Sequence, residues 1–230
     1  MSVPGPLLIF GGTFDPPQRA HVDVPRAVAQ HLHCDRILYV PTSINPFKTD
    51  HPPAPPEDRL AMLRLALRRM LATPTGADPA EGTAPVAIID TIELDRPPPA
   101  YTVDTLAALR RRFGPAQRFR LLMGSDAARS FPSWRDPAGI LAIARPAVVV
   151  RPPDTRAALE STFRRLHGPL DADTWIRCIV DAPLIETSAT AVRERLRRGE
   201  AVGDALDPEV ERYIRAHGLY VPERPAGSGT

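Results

Sequence analysis

The residues best suited to chemistry in this chain are small and polar, and they sit where two well-separated helices begin. The first set lies in the string GGTFDPPQRAH, residues 11–21. Gly11 and Gly12 let the backbone turn sharply and approach a ligand with no Cβ in the way. Thr13 offers a hydroxyl, Phe14 follows it, and Asp15-Pro16 ends the turn. A helix beginning near Ala20 has first N–H groups without internal partners, and a phosphate can accept them. His21, in that first turn, adds a donor and, when protonated, a positive charge. The second set is TSATAVR, residues 187–193. Thr187 or Ser188 is a good N-cap, and a helix N-terminus with two hydroxyls is a second phosphate cradle. Arg193, one turn further on, could grip phosphate oxygens in a planar fork. Taken alone, the first string also reads as a plain strand-to-helix turn and the second as an ordinary capped helix.

These groups need a scaffold, and the apolar pattern supplies one. Strands are expected at residues 7–10, 36–40, 86–94, 118–123, 147–151 and 176–180, and helices at 21–32, 57–71, 103–113, 189–198 and 208–217. Residues 72–85, rich in Ala, Thr, Pro and Gly, read as a surface loop. Residues 222–230 read as a disordered tail after a single domain of residues 1–221. Strands alternating with helices imply βαβ units and a parallel sheet, an α/β fold. The loops at 11–21, 41–48 and 124–134 all follow strands, so they should share the sheet edge where such folds bind ligands. The chain has neither a G-x-x-x-x-G-K-[ST] phosphate loop nor a G-x-G-x-x-G fingerprint. A bound nucleotide would be held by another device.

Composition narrows the class. The 230 residues are 43% hydrophobic and 24% charged, with a net charge of only +2, so no strong field points to a nucleic-acid or membrane partner. There are two cysteines, Cys34 and Cys178, which argues against a disulfide scaffold and fits a reducing cytoplasm. No signal peptide and no membrane-spanning run is expected. Basic residues number 29, yet Lys48 is the only lysine. Among so many arginines, no single one carries meaning from its identity alone. His31, His33 and Cys34 cluster at a helix end, but three such residues do not make a metal site.

The string of residues 11–21 resembles the GGTFDPxHxGH signature of the nicotinate-nucleotide adenylyltransferase family, among the HxGH-type nucleotidyltransferases. The match covers residues 11–16 and His21. Gln18 stands where the first histidine belongs, and Ala20 where the glycine belongs. TSATAVR resembles the family's SSTxIR segment, with Ala189 for the second serine. PTSINPFK (41–48) resembles PxxxPPHK, with Phe47 for histidine and Lys48 retained. DRPPPAYTVDTL (95–106), LLMGSDAARSFPSW (121–134) and LDPEVERYIRAHGLY (206–220) resemble further family segments, so the likeness spans nearly the whole chain.

The resemblance implies a Rossmann-like, doubly wound parallel sheet with helices on both faces. It implies transfer of AMP from ATP to nicotinate mononucleotide, giving nicotinate adenine dinucleotide and pyrophosphate. Gly11, Gly12, Thr13, Phe14, His21, Lys48, Gly124, Asp126, Ser188, Thr190 and Arg193 would bind ATP. Asp126 would accept from ribose hydroxyls. Thr13, Gln18, His21 and Arg193 would act nearest the reaction. The nicotinate ring would stack on Trp134, with its carboxylate held near Thr102 and Arg135. Mg²⁺ would accompany ATP, with no metal bound by the protein itself. Gln18 can donate only a neutral hydrogen bond where the family has a histidine. Either that suffices, or Arg19 supplies charge, or the protein is slow. The rival readings are an enzyme acting on nicotinamide mononucleotide or phosphopantetheine, and an ATP-binding homologue with impaired chemistry.

Overall fold

The chain enters the sheet through β1, Leu7–Gly12, whose first three residues are buried on both faces. The computed structural model describes residues 5–42, 53–71, 84–165, 171–183 and 188–221. Five further strands follow: β2 Arg36–Pro41, β3 Val86–Ile89, β4 Phe119–Gly124, β5 Ala144–Val149 and β6 Ile179–Val180. All pair in parallel, in the order β3-β2-β1-β4-β5-β6. Parallel strands covered on both sides read as continuous apolar runs, as ILYV of β2 does. The order reverses direction between β1 and β4, which makes a switch point there.

Alternation along each strand divides the core. Leu7 and Ile9 of β1 face a cluster with Leu106 and Leu109 of α3 (Thr102–Phe113), Ile140 of α5 (Pro137–Ile143) and Phe163 of α6 (Arg156–Arg165). Leu8 faces the opposite cluster, with Val28 and Ala29 of α1 (Ala20–His31) and Leu63 and Leu67 of α2 (Pro56–Leu67). A third cluster joins Met62 of α2 to α8 (Ala189–Arg197) and α9 (Pro208–Ala216) through Val192, Leu196, Val210 and Ile214. That cluster carries the C-terminal helices back to the first half of the chain.

Several expected boundaries move. The strand expected at 86–94 ends at Ile89, and residues 91–95 turn instead, closed by Leu94 and Asp95 N–H groups on the Thr91 carbonyl. The strand expected at 147–151 starts at Ala144 and ends at Val149. Residues 176 and 177 end a short helix, α7 (Ala172–Arg177), so only Ile179–Val180 is strand. The helix expected at 57–71 stops at Leu67, and Leu71 bridges to Ala87 beside β3. The helices α4 (Ser125–Ser130), α5, α6 and α7 have no counterpart in the expected element list. The expected tail at 222–230 lies outside the described residues, as does most of the loop expected at 72–85.

Candidate active site

Gly11 and Gly12 do not make the turn. They are the last residues of β1, paired with Val40 and Pro41. The left-handed residue is Phe14, at φ 50°. Its ring folds back over Gly12, where a Cβ would come within 3.2 Å of it. Glycine is therefore needed at 12 for close approach, not for its dihedral freedom. Phe14 is buried against Phe10, Tyr39 and His21, with ring centroids 5.4–6.0 Å away.

The turn is held from beneath by Arg59 of α2, a residue with no exposed surface. Its guanidinium donates to the carbonyls of Thr13 (2.7 Å), Thr42 (2.8 Å) and Ala54 (3.0 Å). Three carbonyls from three segments are thus fixed around one planar cation. Asp15 ties the rim. Its carboxylate accepts from the Ala54 N–H at 3.1 Å and from the Tyr220 hydroxyl at 2.6 Å.

Helix α1 begins at Ala20, as expected, but its first turn is closed. The N–H groups of His21 and Val22 donate to the Gln18 and Arg19 carbonyls at 2.9 Å, and that of Asp23 to Arg19 at 2.9 Å. The backbone therefore offers less to a phosphate than an open helix end would. His21 Nδ1 accepts from the Gln18 N–H at 2.9 Å, which leaves Nε2 carrying the hydrogen. Burial, with the Arg151 guanidinium adding to it, lowers the His21 pKa to about 4. The expected positive charge on His21 is absent at neutral pH, so His21 is a neutral donor. Arg19 does not supply the charge either: it is paired with Asp204 at 3.5 Å and does not line the main cavity.

At the other cradle, Ser188 is the N-cap of α8, its hydroxyl accepting from the Ala191 N–H at 3.5 Å. Arg193 donates to the Asp15 carbonyl at 2.8 Å and to Thr190 Oγ1 at 3.3 Å. Helix α8 is thereby fastened onto the N-terminal turn.

These parts surround an open cavity of about 1960 Å³ at the carboxyl ends of β1, β4 and β5. One wall holds Gly11, Gly12, Thr13, Phe14, Gln18, His21, Ser188, Thr190 and Arg193. Gln18 is almost wholly buried, and its Nε2 has no hydrogen-bond partner among the described residues. Another wall holds Gly124 and Asp126. Asp126 lies in the first turn of α4 without capping it, 4.0 Å from Arg151. Thr102, Trp134 and Arg135 form a third. Trp134 is partly buried, packed on Phe131 at 5.3 Å with its Nε1 donating to Ser130 Oγ at 3.3 Å. The Arg135 guanidinium stands 4.5 Å over the Tyr101 ring and 3.7 Å from Asp104. Lys48, Phe47 and Thr187 lie outside the described residues.

The cavity also contains groups that the sequence did not single out. Glu93 is buried beneath the third wall, where Thr105 Oγ1 donates to it at 2.7 Å. Burial raises its pKa against the opposing hydrogen bonds from Thr105 and Thr42. Arg151 follows β5. In a chain with this many arginines, neither Arg59 nor Arg151 carries a signal that spacing could reveal.

The profile of the cytidylyltransferase-like family matches residues 9–195. A protein of Thermomicrobium roseum named "Probable nicotinate-nucleotide adenylyltransferase" is 36% identical over 93% of this chain and 91% of its own length. One of the same name from Neisseria meningitidis is 35% identical over 92% and 96%. Among solved structures, Plasmodium falciparum nicotinic acid mononucleotide adenylyltransferase complexed with NaAD shares the fold, with a TM-score of 0.70 at 16% identity over 94% of this chain and 97% of that one. By its family profile and its full-length relatives, the chain belongs to the cytidylyltransferase-like family and, within it, to the nicotinate-nucleotide adenylyltransferases.

Proposed function

We infer that the protein transfers the adenylyl group of ATP to nicotinate mononucleotide, making nicotinate adenine dinucleotide for NAD biosynthesis. Relatives of this name cover nearly the whole chain. The observation that carries the reading is the single cavity at the switch point. It gathers the phosphate-binding turn and the α8 N-terminus on one side and Thr102, Trp134 and Arg135 on another.

The reaction joins two phosphates. An oxygen of the acceptor phosphate bonds to the α-phosphorus of ATP. The bond from that phosphorus to the α,β-bridging oxygen breaks, and pyrophosphate leaves with the electron pair. The nucleophile is already an anion, so no general base and no covalent enzyme intermediate is required. The protein supplies position and electrostatic stabilisation.

We assign the roles as follows. The Thr13 hydroxyl and His21 Nε2–H donate to phosphate oxygens at the reacting centre, and Gln18 stands behind them. Ser188, Thr190, Arg193 and Lys48 hold the rest of the triphosphate. Gly124 leaves room at the end of β4, and Asp126 accepts from ribose hydroxyls. Trp134 offers its face to the pyridine ring, and Thr102 with Arg135 receives the carboxylate. Bound to the ATP phosphates, Mg²⁺ would supply charge neutralisation for the leaving pyrophosphate. The nucleotide's own phosphate oxygens are the natural ligands for so hard a cation. Both cysteines are buried free thiols, which fits a reducing compartment, the cytoplasm.

The test is to incubate the folded protein with Mg-ATP and each acceptor in turn, following pyrophosphate and dinucleotide. Product with nicotinate mononucleotide should far exceed that with nicotinamide mononucleotide or phosphopantetheine. ATP binding without product from any acceptor would sink the reading.

A further inference from the structure

The transfer proposed above brings an anionic acceptor phosphate against an anionic α-phosphate. Some positive charge must meet them. The signature turn supplies none among the described residues: Gln18 is neutral, His21 is held neutral as an acceptor of the Gln18 N–H, and Arg19 is turned away to Asp204. Of the other arginines lining the cavity, Arg129 pairs with Asp154, Arg135 lies over Tyr101, Arg193 is bonded to the Asp15 carbonyl, and Arg197 is exposed at the end of α8 away from the Ser188 cap.

Arg151 differs from these. Its backbone is fixed on both sides: its N–H donates to Oγ of the fully buried Ser125 at 3.2 Å, and its carbonyl accepts from the Asp154 N–H at 2.9 Å. Its side chain crosses the end of β4, where a Cβ on Gly124 would lie 2.5 Å from the Arg151 Cδ. Gly124 is therefore the residue that lets the arginine reach inward. The side chain is about half exposed and lines the cavity, and its ion-pair partner, Asp126, stands at the long distance of 4.0 Å. Ile9 pairs with Leu121 and Gly124 with Val149, so β1, β4 and β5 end side by side. That places Arg151 on the same cavity as His21, which both residues line.

We propose that Arg151 is a catalytic residue, the cation that meets the α-phosphate of ATP as the acceptor phosphate attacks it. Extra negative charge gathers on the α-phosphate oxygens in the transition state, and a guanidinium aimed there stabilises that state more than the ground state. The neutral His21 Nε2–H then completes a donor pair, one charged and one not. This inference rests on the adenylyl-transfer reading.

The experiment compares wild type, Arg151→Met and Arg151→Lys, all shown to be folded. It measures kcat and KM for both substrates, together with the His21 titration by NMR. Arg151→Met should lower kcat roughly a hundred- to a thousandfold with little change in KM for ATP. Arg151→Lys should recover part of the loss, because it restores charge without the fork. The His21 pKa should rise in Arg151→Met as the nearby charge is removed, while the kcat-against-KM split and the partial rescue by lysine separate a catalytic arginine from a structural one. Wild-type kcat in Arg151→Met, a loss confined to KM, or no recovery at all in Arg151→Lys would each overturn the proposal. A wild-type protein that makes no dinucleotide at all would instead overturn the adenylyl-transfer reading on which the proposal stands.

Discussion

The Arg193 guanidinium donates to the backbone carbonyl of Asp15 at 2.8 Å, across 178 residues of chain. The same aspartate accepts from the Tyr220 hydroxyl at 2.6 Å. The two helix starts are thus one structure: helix α8 and the end of the chain are latched to the turn after β1. Replacing Arg193 with lysine keeps charge but loses the fork that spans Asp15 and a phosphate together. We expect KM for ATP to rise about tenfold, the equivalent of one charge-assisted hydrogen bond. Unchanged ATP binding in steady-state kinetics would show that Arg193 serves only the latch.

Arg59 is expected to matter for folding. It is fully buried and donates to three carbonyls, on Thr13, Thr42 and Ala54. Arg59→Met leaves those acceptors unpaired, which costs about 3 kcal/mol or more. Chemical denaturation should show the loss, with activity falling as the turn loosens. A variant as stable as wild type would mean that the carbonyls find other donors.

The state of His21 can be read from pH. With a pKa of about 4 it is neutral throughout the neutral range. Turnover should therefore be flat from pH 6 to 8 as far as this group decides it. In the unfolded chain the imidazole titrates near its ordinary value of about 6.5. Between that value and the folded one, the unfolded state binds more protons. Stability from this group is complete above about pH 6.5 and is lost as pH falls towards 4, by about 3 kcal/mol in all. Thermal melts at pH 4.5 and 7, for wild type and His21→Gln, measure it: the variant should lose less on acidification. His21→Ala should also lower kcat roughly a hundred- to a thousandfold, and normal turnover would remove His21 from the reacting centre.

Gln18 is almost wholly buried, with an amide nitrogen that has no partner among the described residues. Its position is that of the family's first histidine. Gln18→His should keep or raise activity, since it restores the group the turn is built around. A large fall would show that this chain has adapted its packing to the amide.

Trp134 can be separated from the other tryptophan by fluorescence. The chain has two, and Trp175 is buried against Phe163 and Phe131. Nicotinate mononucleotide should quench Trp134 by stacking, and Trp134→Ala should abolish the quench. The same substitution should raise KM for the acceptor roughly tenfold to a hundredfold, the worth of about 1–3 kcal/mol of stacking, and leave ATP alone. A quench that survives the substitution would move the ring elsewhere.

Much of this protein is written locally. The apolar runs of β1, β2 and β4 and the periodic helices α1, α3, α8 and α9 were legible because burial on one or both faces leaves a pattern within ten residues. The turn of residues 11–16, His21, the Ser188 cap and the segment around Trp134 were legible as strings, and their order along the chain pointed to the family. Helices α4, α5 and α7 escaped because six or seven residues are too few for a period to show. The rest was decided by packing. That Gly12 accommodates a ring and Gly124 an arginine depends on Phe14 and on Arg151, the latter 27 positions on from its glycine. That His21 is neutral depends on burial and on which group its Nδ1 faces. That Arg19 looks away, Arg59 lies underneath and Arg151 looks in depends on strand order and on where helices dock. Identical side chains in an arginine-rich sequence carry no mark of these differences; only the distances and burial set by the folded chain assign them.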